Sequence, residues 1–319
     1  MRRAVEELFS AFGRLKIAVI GDPILDEYIF GRVERISPEA PVPVFEVERN
    51  EFRAGGAANV ALNLKSLGVG RVLLLGRVGR DEGGRLLKKL LEEGGVETKL
   101  LESAGVPTTR KTRLVARSQQ LIRIDEERRT PLGEEETLKL FEELKRFNPD
   151  AVVVSDYAKG VVTETLGRLL RDSGFKVFVD PRPQNLRAYR GLFCVTPNLK
   201  EFEAMARRLG LEGPAEEVAP LFRERMGLEA LVITLSERGI ALFTDGESAR
   251  FPATAREVYD VTGAGDTVAA ALSAAYAAAG DWHLACRFAN LCAGVAVSKL
   301  GTAQVRPEEV LAELSRLGL

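Results

Sequence analysis

Ala151-Val152-Val153-Val154-Ser155, a helically spaced stretch over 163–173, and Lys176-Val177-Phe178-Val179-Asp180 carry the reading of the fold. Two short β-branched apolar runs end at polar residues, and the segment between them has the length of one crossover helix. Strands that are apolar along their whole length are covered on both faces, as in a parallel sheet. The alternation extends outward in both directions. Residues 16–21 and 71–76 read as strands, with helices at 57–67, 81–93 and 137–147. Further on, strands are expected at 193–196, 230–234 and 240–244, and helices near 200–209, 215–226, 264–279, 284–299 and 307–317. The sequence predicts an α/β fold with a mostly parallel central sheet and helices on both faces, in one domain over 1–319. Asp22, Ser155, Asp180 and Asn198 fall at or just past strand ends, the edge along which open α/β sheets bind ligands.

Two segments break the rhythm. Between Asp22 and Gly55 there is no helical period; Pro38, Pro41 and Pro43 punctuate it, and Val42, Val44 and Glu46 keep strand spacing. Residues 108–125 are similar, with Thr112, Leu114 and the run 121–124 favouring extended backbone. Segments 23–53 and 108–126 are expected to form a small β-lid over a site, or a dimer surface, because strand edges need covering.

Composition narrows the function. The chain has 45 basic and 46 acidic residues, a formal net charge of −1, so no global field draws nucleic acid or an anionic membrane. An anionic ligand must be held by local geometry. Cys194, Cys286 and Cys292 form no Cys-x-x-Cys pair, which argues against a disulfide framework or zinc site and for a reducing cytoplasm. The first fifteen residues follow helical spacing interrupted by Glu6 and Glu7, unlike a signal peptide, and the apolar stretch 268–279 is too short to span a bilayer. His283 is the single histidine, which removes a Ser-His-Asp triad and multi-histidine metal sites from consideration.

Asp260-Val261-Thr262-Gly263-Ala264-Gly265-Asp266 opens the Ala-rich helix. Amides at a helix start have no partner inside the helix and, with its dipole, form an anion site. Asp266 lies within that first turn. A carboxylate beside an anion hole suits phosphoryl transfer, where it takes a hydroxyl proton while the amides hold developing charge. The plainer alternative is a tight turn with Asp266 as a cap. Gly55-Gly56-Ala57-Ala58-Asn59 opens another helix; the glycines admit a ligand close to the backbone, and Asn59 can bond sugar hydroxyls, or the element is a simple loop-to-helix entry. Asn198 and Glu201, three apart at a helix start, fit either a hydrated magnesium ion or an N-cap with a capping box. Asp260 could cap, orient the glycine turn or help bind a monovalent cation, and Thr234 and Gly239 flank a strand turn suited to a nucleotide. A P-loop is absent, and Gly263-Ala264-Gly265 lacks the third glycine of a dinucleotide fingerprint.

In order and spacing, the 260–266 turn, Gly55-Gly56 and Asn198-Leu199-Lys200-Glu201 resemble the ribokinase-like (PfkB) carbohydrate kinases over the whole chain. Narrower stretches at 21–28, 35–44, 119–125, 155–160 and 299–302 resemble the heptose 7-phosphate kinases within that family. The resemblance implies ATP-dependent phosphorylation of an anomeric sugar hydroxyl, giving a 1,7-bisphosphate on the way to ADP-heptose for lipopolysaccharide. It implies Asp266 as general base and Thr262, Gly263, Ala264 and Gly265 as the anion hole. Asn198, Leu199, Lys200 and Glu201 would serve ATP and Mg2+, joined on the nucleotide side by Thr234, Gly239 and Asn290. Asp26, Gly55, Gly56 and Asn59 would hold the sugar, and Asp260 a K+ ion. Arg53, Lys111, Arg113, Arg117, Gln119, Arg123 and Lys159 are candidates for the far phosphate, or are solvated lid residues. Lys111, Arg123 and Lys159 are carried into the expected substrate set. A homodimer through the lid is expected, as is a nucleotidylyltransferase on a separate protein. Arg182 departs from the family pattern, where lysine is expected, which puts its role in doubt.

Overall fold

The computed structural model describes residues 1–117, 119–254, 259–299 and 301–318. Leu300, part of the 299–302 stretch quoted above, lies outside them. In chain order the strands are β1 (Lys16–Gly21), β2 (Pro23–Ile36), β3 (Pro43–Gly56), β4 (Arg71–Gly79), β5 (Glu97–Ser103), β6 (Arg110–Ala116) and β7 (Gln119–Glu126). They continue with β8 (Ala151–Ser155), β9 (Val177–Asp180), β10 (Cys194–Val195), β11 (Ala230–Thr234), β12 (Ile240–Phe243) and β13 (Ser248–Phe251). The α-helices are α1 (Arg2–Phe12), α2 (Ala57–Ser66), α3 (Glu82–Glu93), α4 (Glu134–Phe147), α5 (Glu164–Asp172), α6 (Leu199–Arg208), α7 (Ala215–Met226), α8 (Ala264–Ala279), α9 (Trp282–Ala296) and α10 (Pro307–Leu317).

Among the described residues, nine strands form the main sheet in the order β13-β12-β11-β10-β9-β8-β1-β4-β5. From β11 through β5 neighbours run parallel; β12 and β13 add an antiparallel edge. Period-two alternation sorts the central strands onto two cores. Ile17, Val19, Val153 and Phe178 pack with α2, α8 and α9, while Ala18, Ile20, Val152 and Val154 face α4, α5, α6 and α7. This two-sided burial explains why the central strands read as continuous apolar runs. Helix α8 is apolar nearly all round, and its central alanines, Ala269 to Ala275, are buried between α2 and α9.

Two strands were not anticipated. In β5 partly buried and exposed residues alternate, and Glu97, Lys99 and Glu102 interrupt its apolar pattern, as befits an edge strand. Strand β13, only four residues long, closes the opposite edge. Conversely, the helix expected over 284–299 starts at Trp282 and ends at Ala296.

The lid segments form a separate four-stranded sheet, β3-β2-β6-β7. A single residue, Asp22, separates β1 from β2, so the lid grows directly from the carboxyl edge of the main sheet. Register puts Asp26 opposite Lys111 and Arg53, and Tyr28 opposite Arg113. In the main sheet, Gly21 pairs with Ser155, and Ser155 with Asp180. The loops after β1, β8 and β9 therefore emerge side by side.

Candidate active site

The turn before α8 is shaped by two residues. Gly263 has φ +78°, and a Cβ there would lie 2.9 Å from Asn59 Nδ2, so both conformation and space require glycine. Asp260 braces the turn: Oδ1 accepts from Thr262 N (2.9 Å) and Oδ2 from Gly301 N (2.8 Å). Burial pushes the Asp260 carboxyl up, but these bonds outweigh it and hold the pKa below its ordinary value. The anion hole expected over 262–265 is narrowed here: Thr262 and Ala264 drop out of it. Thr262 N is spent on Asp260, and Ala264 N on Val261 O (3.2 Å). Among the described residues, the amides without a partner at the start of α8 are those of Gly263, Gly265 and Asp266. A Cβ at Gly265 would meet nothing within 4 Å, so the space before this turn is free for a ligand.

Asp266 is 2% exposed. Its Oδ2 accepts from Asn59 Nδ2 and its Oδ1 from the Tyr157 hydroxyl, both at 2.8 Å. Asn63 on the next turn of α2 donates to Asn59 Oδ1 (3.1 Å), which fixes the amide with Nδ2 toward Asp266. Tyr157 follows β8 in a loop that Asp22 gathers, accepting from the N–H groups of Tyr157 (2.9 Å), Lys159 (3.0 Å) and Val161 (3.1 Å). Burial pushes Asp266 up to about 6, against the two donors that favour the ionised form. A base must be ionised to act, so a role for Asp266 as general base predicts that kcat/KM falls as pH drops through about 6. Asn59→Ala removes a donor to the carboxylate and should move this acid limb to higher pH. The check is a pH–rate profile of both proteins; a limb in the ordinary carboxylate range would take Asp266 out of the role.

Beyond β10, Asn198 caps α6: Oδ1 accepts from Glu201 N and Glu201 Oε2 accepts from Asn198 N, each at 3.0 Å. The capping-box alternative is thus realised, and Glu201 Oε1 also pairs with Arg182. The Arg182 guanidinium lies over the Tyr157 ring, 4.7 Å from its centroid. A continuous chain, Asn198–Glu201–Arg182–Tyr157–Asp266, joins the two halves of the site. Thr234 bridges Asn198 in parallel fashion and donates its N–H to Pro197 O (2.9 Å). Leu199 packs on the second core and Lys200 is exposed. Gly239 has a backbone reason of its own: with φ +86°, a Cβ there would fall 2.0 Å from Phe251 O. Asn290 is buried and donates to Pro252 O (2.6 Å), tying α9 to the chain after β13.

In the lid, Asp26 Oδ1 accepts from Arg113 (2.5 Å), both residues being buried. A Cβ on Gly55 would lie 2.1 Å from Asp26 Oδ2, and one on Gly56 would lie 2.5 Å from Asp22 O. Lys111 Nζ sits 5.4 Å from the Tyr157 ring centroid, and burial draws its pKa down, partly offset by Asp26. Arg123 is paired with Asp125 (2.8 and 3.1 Å) and Lys159 with Glu127. The structure thus gathers Asn59, Gly263, Gly265 and Asp266, brings Lys111 beside them through Tyr157, and leaves Arg123 and Lys159 in ion pairs. Tyr157 was not singled out by sequence reasoning; its position in the conspicuous Ser155–Gly160 stretch was the available signal.

An α/β sheet whose carboxyl edge bears a buried carboxylate beside open helix-start amides, under a β-lid, defines a phosphotransferase of the sugar-kinase type. The chain belongs to the pfkB family of carbohydrate kinases, whose sequence profile matches residues 14–309. It is 43% identical to the D-beta-D-heptose 7-phosphate kinase of Bordetella bronchiseptica, over 94% of this chain and 96% of that one. It is also 43% identical to the bifunctional protein HldE of Trichlorobacter lovleyi, over 98% of this chain but 66% of that one. The chain therefore spans about two thirds of the length of the bifunctional relatives it matches. In fold it is similar to a ribokinase from Thermotoga maritima (TM-score 0.79, 24% identity, 94% of this chain and 99% of that one). It is likewise similar to phosphofructokinase-2 from Escherichia coli in complex with potassium (TM-score 0.80, 20% identity, 96% of this chain and 100% of that one).

Proposed function

We propose that this chain transfers the γ-phosphate of ATP to the anomeric hydroxyl of D-glycero-β-D-manno-heptose 7-phosphate, giving the 1,7-bisphosphate used in ADP-heptose and lipopolysaccharide core synthesis. The single observation that carries the chemistry is Asp266, buried between two donors and adjacent to open amides. Asp266 takes the hydroxyl proton as the sugar oxygen bonds to phosphorus and ADP leaves. The Gly265 and Asp266 amides hold the charge on the phosphoryl oxygens. The sugar assignment is supported by the likeness to the Bordetella kinase and by a lid face that carries Arg53, Lys111 and Arg113 beside Asp26.

For Mg2+ the donor set fits an ion held mainly by water and phosphate: Glu201 supplies one carboxylate and Asn198 one amide. Magnesium, when bound, screens the phosphate charges. Among the described residues no cluster of three or more His, Cys, Asp or Glu could hold a metal by protein ligands alone. Both Asp260 oxygens already accept backbone N–H groups, so its assignment is the brace of the turn, and K+ rests on resemblance.

Measuring ADP release with ATP across heptose 7-phosphate, ribose, fructose and their phosphates tests the assignment. Turnover confined to the heptose phosphate is expected. Faster turnover of a different sugar would move the chain to another specificity within the family.

The lid also supports a homodimer. Ile36, Val47, Leu121, Ile122 and Ile124 are each about half or more exposed, all on the four-stranded sheet. An Ile122→Glu, Ile124→Glu double variant should elute from size exclusion as a monomer where the parent is a dimer; a monomeric parent refutes this arrangement. Among the described residues no helix is long and apolar enough to cross a membrane, and the cytoplasm, where ATP is supplied, is the proposed compartment.

A further inference from the structure

Arg182 lies two residues beyond β9, between the two halves of the site. One side stacks on Tyr157, which holds Asp266; the other pairs with Glu201. Its surroundings are acidic: Asp180, Glu201 and Asp156 act on it, and it acts on both Asp266 and Asp180. A cleft lined by several carboxylates repels a triphosphate unless cations offset them, most strongly where water is scarce. About 30% of the Arg182 side chain is exposed, so it can be reached from the cleft.

Both Glu201 oxygens are occupied, Oε1 by Arg182 and Oε2 by Asn198 N. A hydrated cation drawn to Glu201 competes with Arg182 for Oε1, because the two positive charges repel across one carboxylate. Giving up the pair releases the guanidinium, while the Tyr157 ring still supports it.

We propose that Arg182 is a catalytic residue that Glu201 holds in reserve: once Glu201 serves the nucleotide, the guanidinium moves onto the transferring phosphoryl group. This rests on the kinase reading above. Arg182 then carries charge on the phosphoryl oxygens opposite the Gly265 and Asp266 amides, while the hydroxyl proton still goes to Asp266. A planar fork of donors suits a phosphoryl group, and a lysine ammonium reproduces its charge but not its geometry.

The test compares Arg182→Gln and Arg182→Lys with the parent in ADP release, thermal unfolding and calorimetric titration with ADP and with the γ-phosphate-bearing analogue AMP-PNP. In Arg182→Gln, kcat should fall about 10²-fold with sugar KM nearly unchanged. Arg182→Lys should recover most of that loss. The acid limb of Arg182→Gln should move to higher pH, because a positive charge favouring ionised Asp266 is gone. AMP-PNP should bind about tenfold more weakly, one lost charged contact, while ADP binds as before. Equal weakening of both nucleotides, or parental kcat and acid limb in Arg182→Gln, overturns the proposal. If Arg182→Gln does not fold, Arg182→Met carries the same comparison: AMP-PNP weakened with ADP unchanged supports the contact, and an unchanged ratio overturns it. Parental protein that forms no ADP would instead refute the kinase reading.

Discussion

Asp266→Asn is expected to lower kcat by about 10²-fold or more, as for loss of a positioned general base, and to leave the fold intact. The geometry explains why both hold. Asn59 Nδ2 is a donor only, so the new amide must turn its oxygen to Asn59. Its NH2 then faces the Tyr157 oxygen, which can accept as well as donate. Both contacts survive with the polarity of one reversed, and the one group that loses a partner is the Tyr157 hydroxyl hydrogen. The stability sign follows from the pKa. A carboxyl raised in the folded state from 3.8 to about 6 destabilises the fold in full above about pH 6, and this cost shrinks as pH falls from there and is gone below 3.8. The amide has no such cost, so above pH 6 the variant should unfold at the same temperature as the parent or higher. Coupled ADP assays and thermal unfolding at neutral pH check the two halves together. Near-normal turnover would remove Asp266 from the chemistry, and a large loss of stability would mean that its carboxylate is structural.

How much of this was legible in the sequence depends on whether the signal was local. Strands β1 and β8 were readable to the residue because both faces are buried, which leaves an uninterrupted apolar run. Edge strand β5 was not, because its charged residues break the run. The glycine turn and Asp266 were legible because a helix start has its own chemistry within a few residues. The partition of amides was not: Asp260 consumes the Thr262 N–H, and spacing along the chain does not show which way a side chain turns. Asn59 was visible as a polar residue at a helix start. Its real contact, Asp266, comes from across the molecule, 207 residues away in sequence. Tyr157 and Arg182 belong to loops after β8 and β9 and have no period; only the parallel register of Ser155 with Asp180 brings them together. The Asn198–Glu201 spacing offered metal site and capping box alike, and the cap is formed. Because Glu201 also pairs with Arg182, the cap and the cleft share one carboxylate.

Gly265→Val separates the anion-hole assignment from mere turn geometry. Gly263 and Gly265 look equivalent in the sequence, but the fold uses them differently. Gly263 has φ +78° and no room for a Cβ beside Asn59, so any substitution there disturbs both the backbone and the contact that orients Asp266. Gly265 has no such constraint: it lies in the first turn of α8 without positive φ, and a Cβ would meet no protein atom within 4 Å. A non-glycine residue in a helix is favoured over glycine by a few tenths to about 1 kcal/mol. The protein alone gives no reason for glycine at this position, and a phosphate drawn up against the amides would. A valine should therefore leave the unfolding temperature unchanged or slightly raised. Its branched side chain would stand where the phosphoryl oxygens meet the amides and lower kcat/KM for ATP by about 10²-fold, comparable to losing one oxyanion donor. Gly263→Ala should instead lower both stability and activity. Thermal unfolding beside ATP-dependent ADP release distinguishes the two variants. A Gly265→Val protein with parental stability and parental kcat/KM would mean that no phosphate passes in front of this helix, and the transfer chemistry would have to be sought elsewhere along the sheet edge.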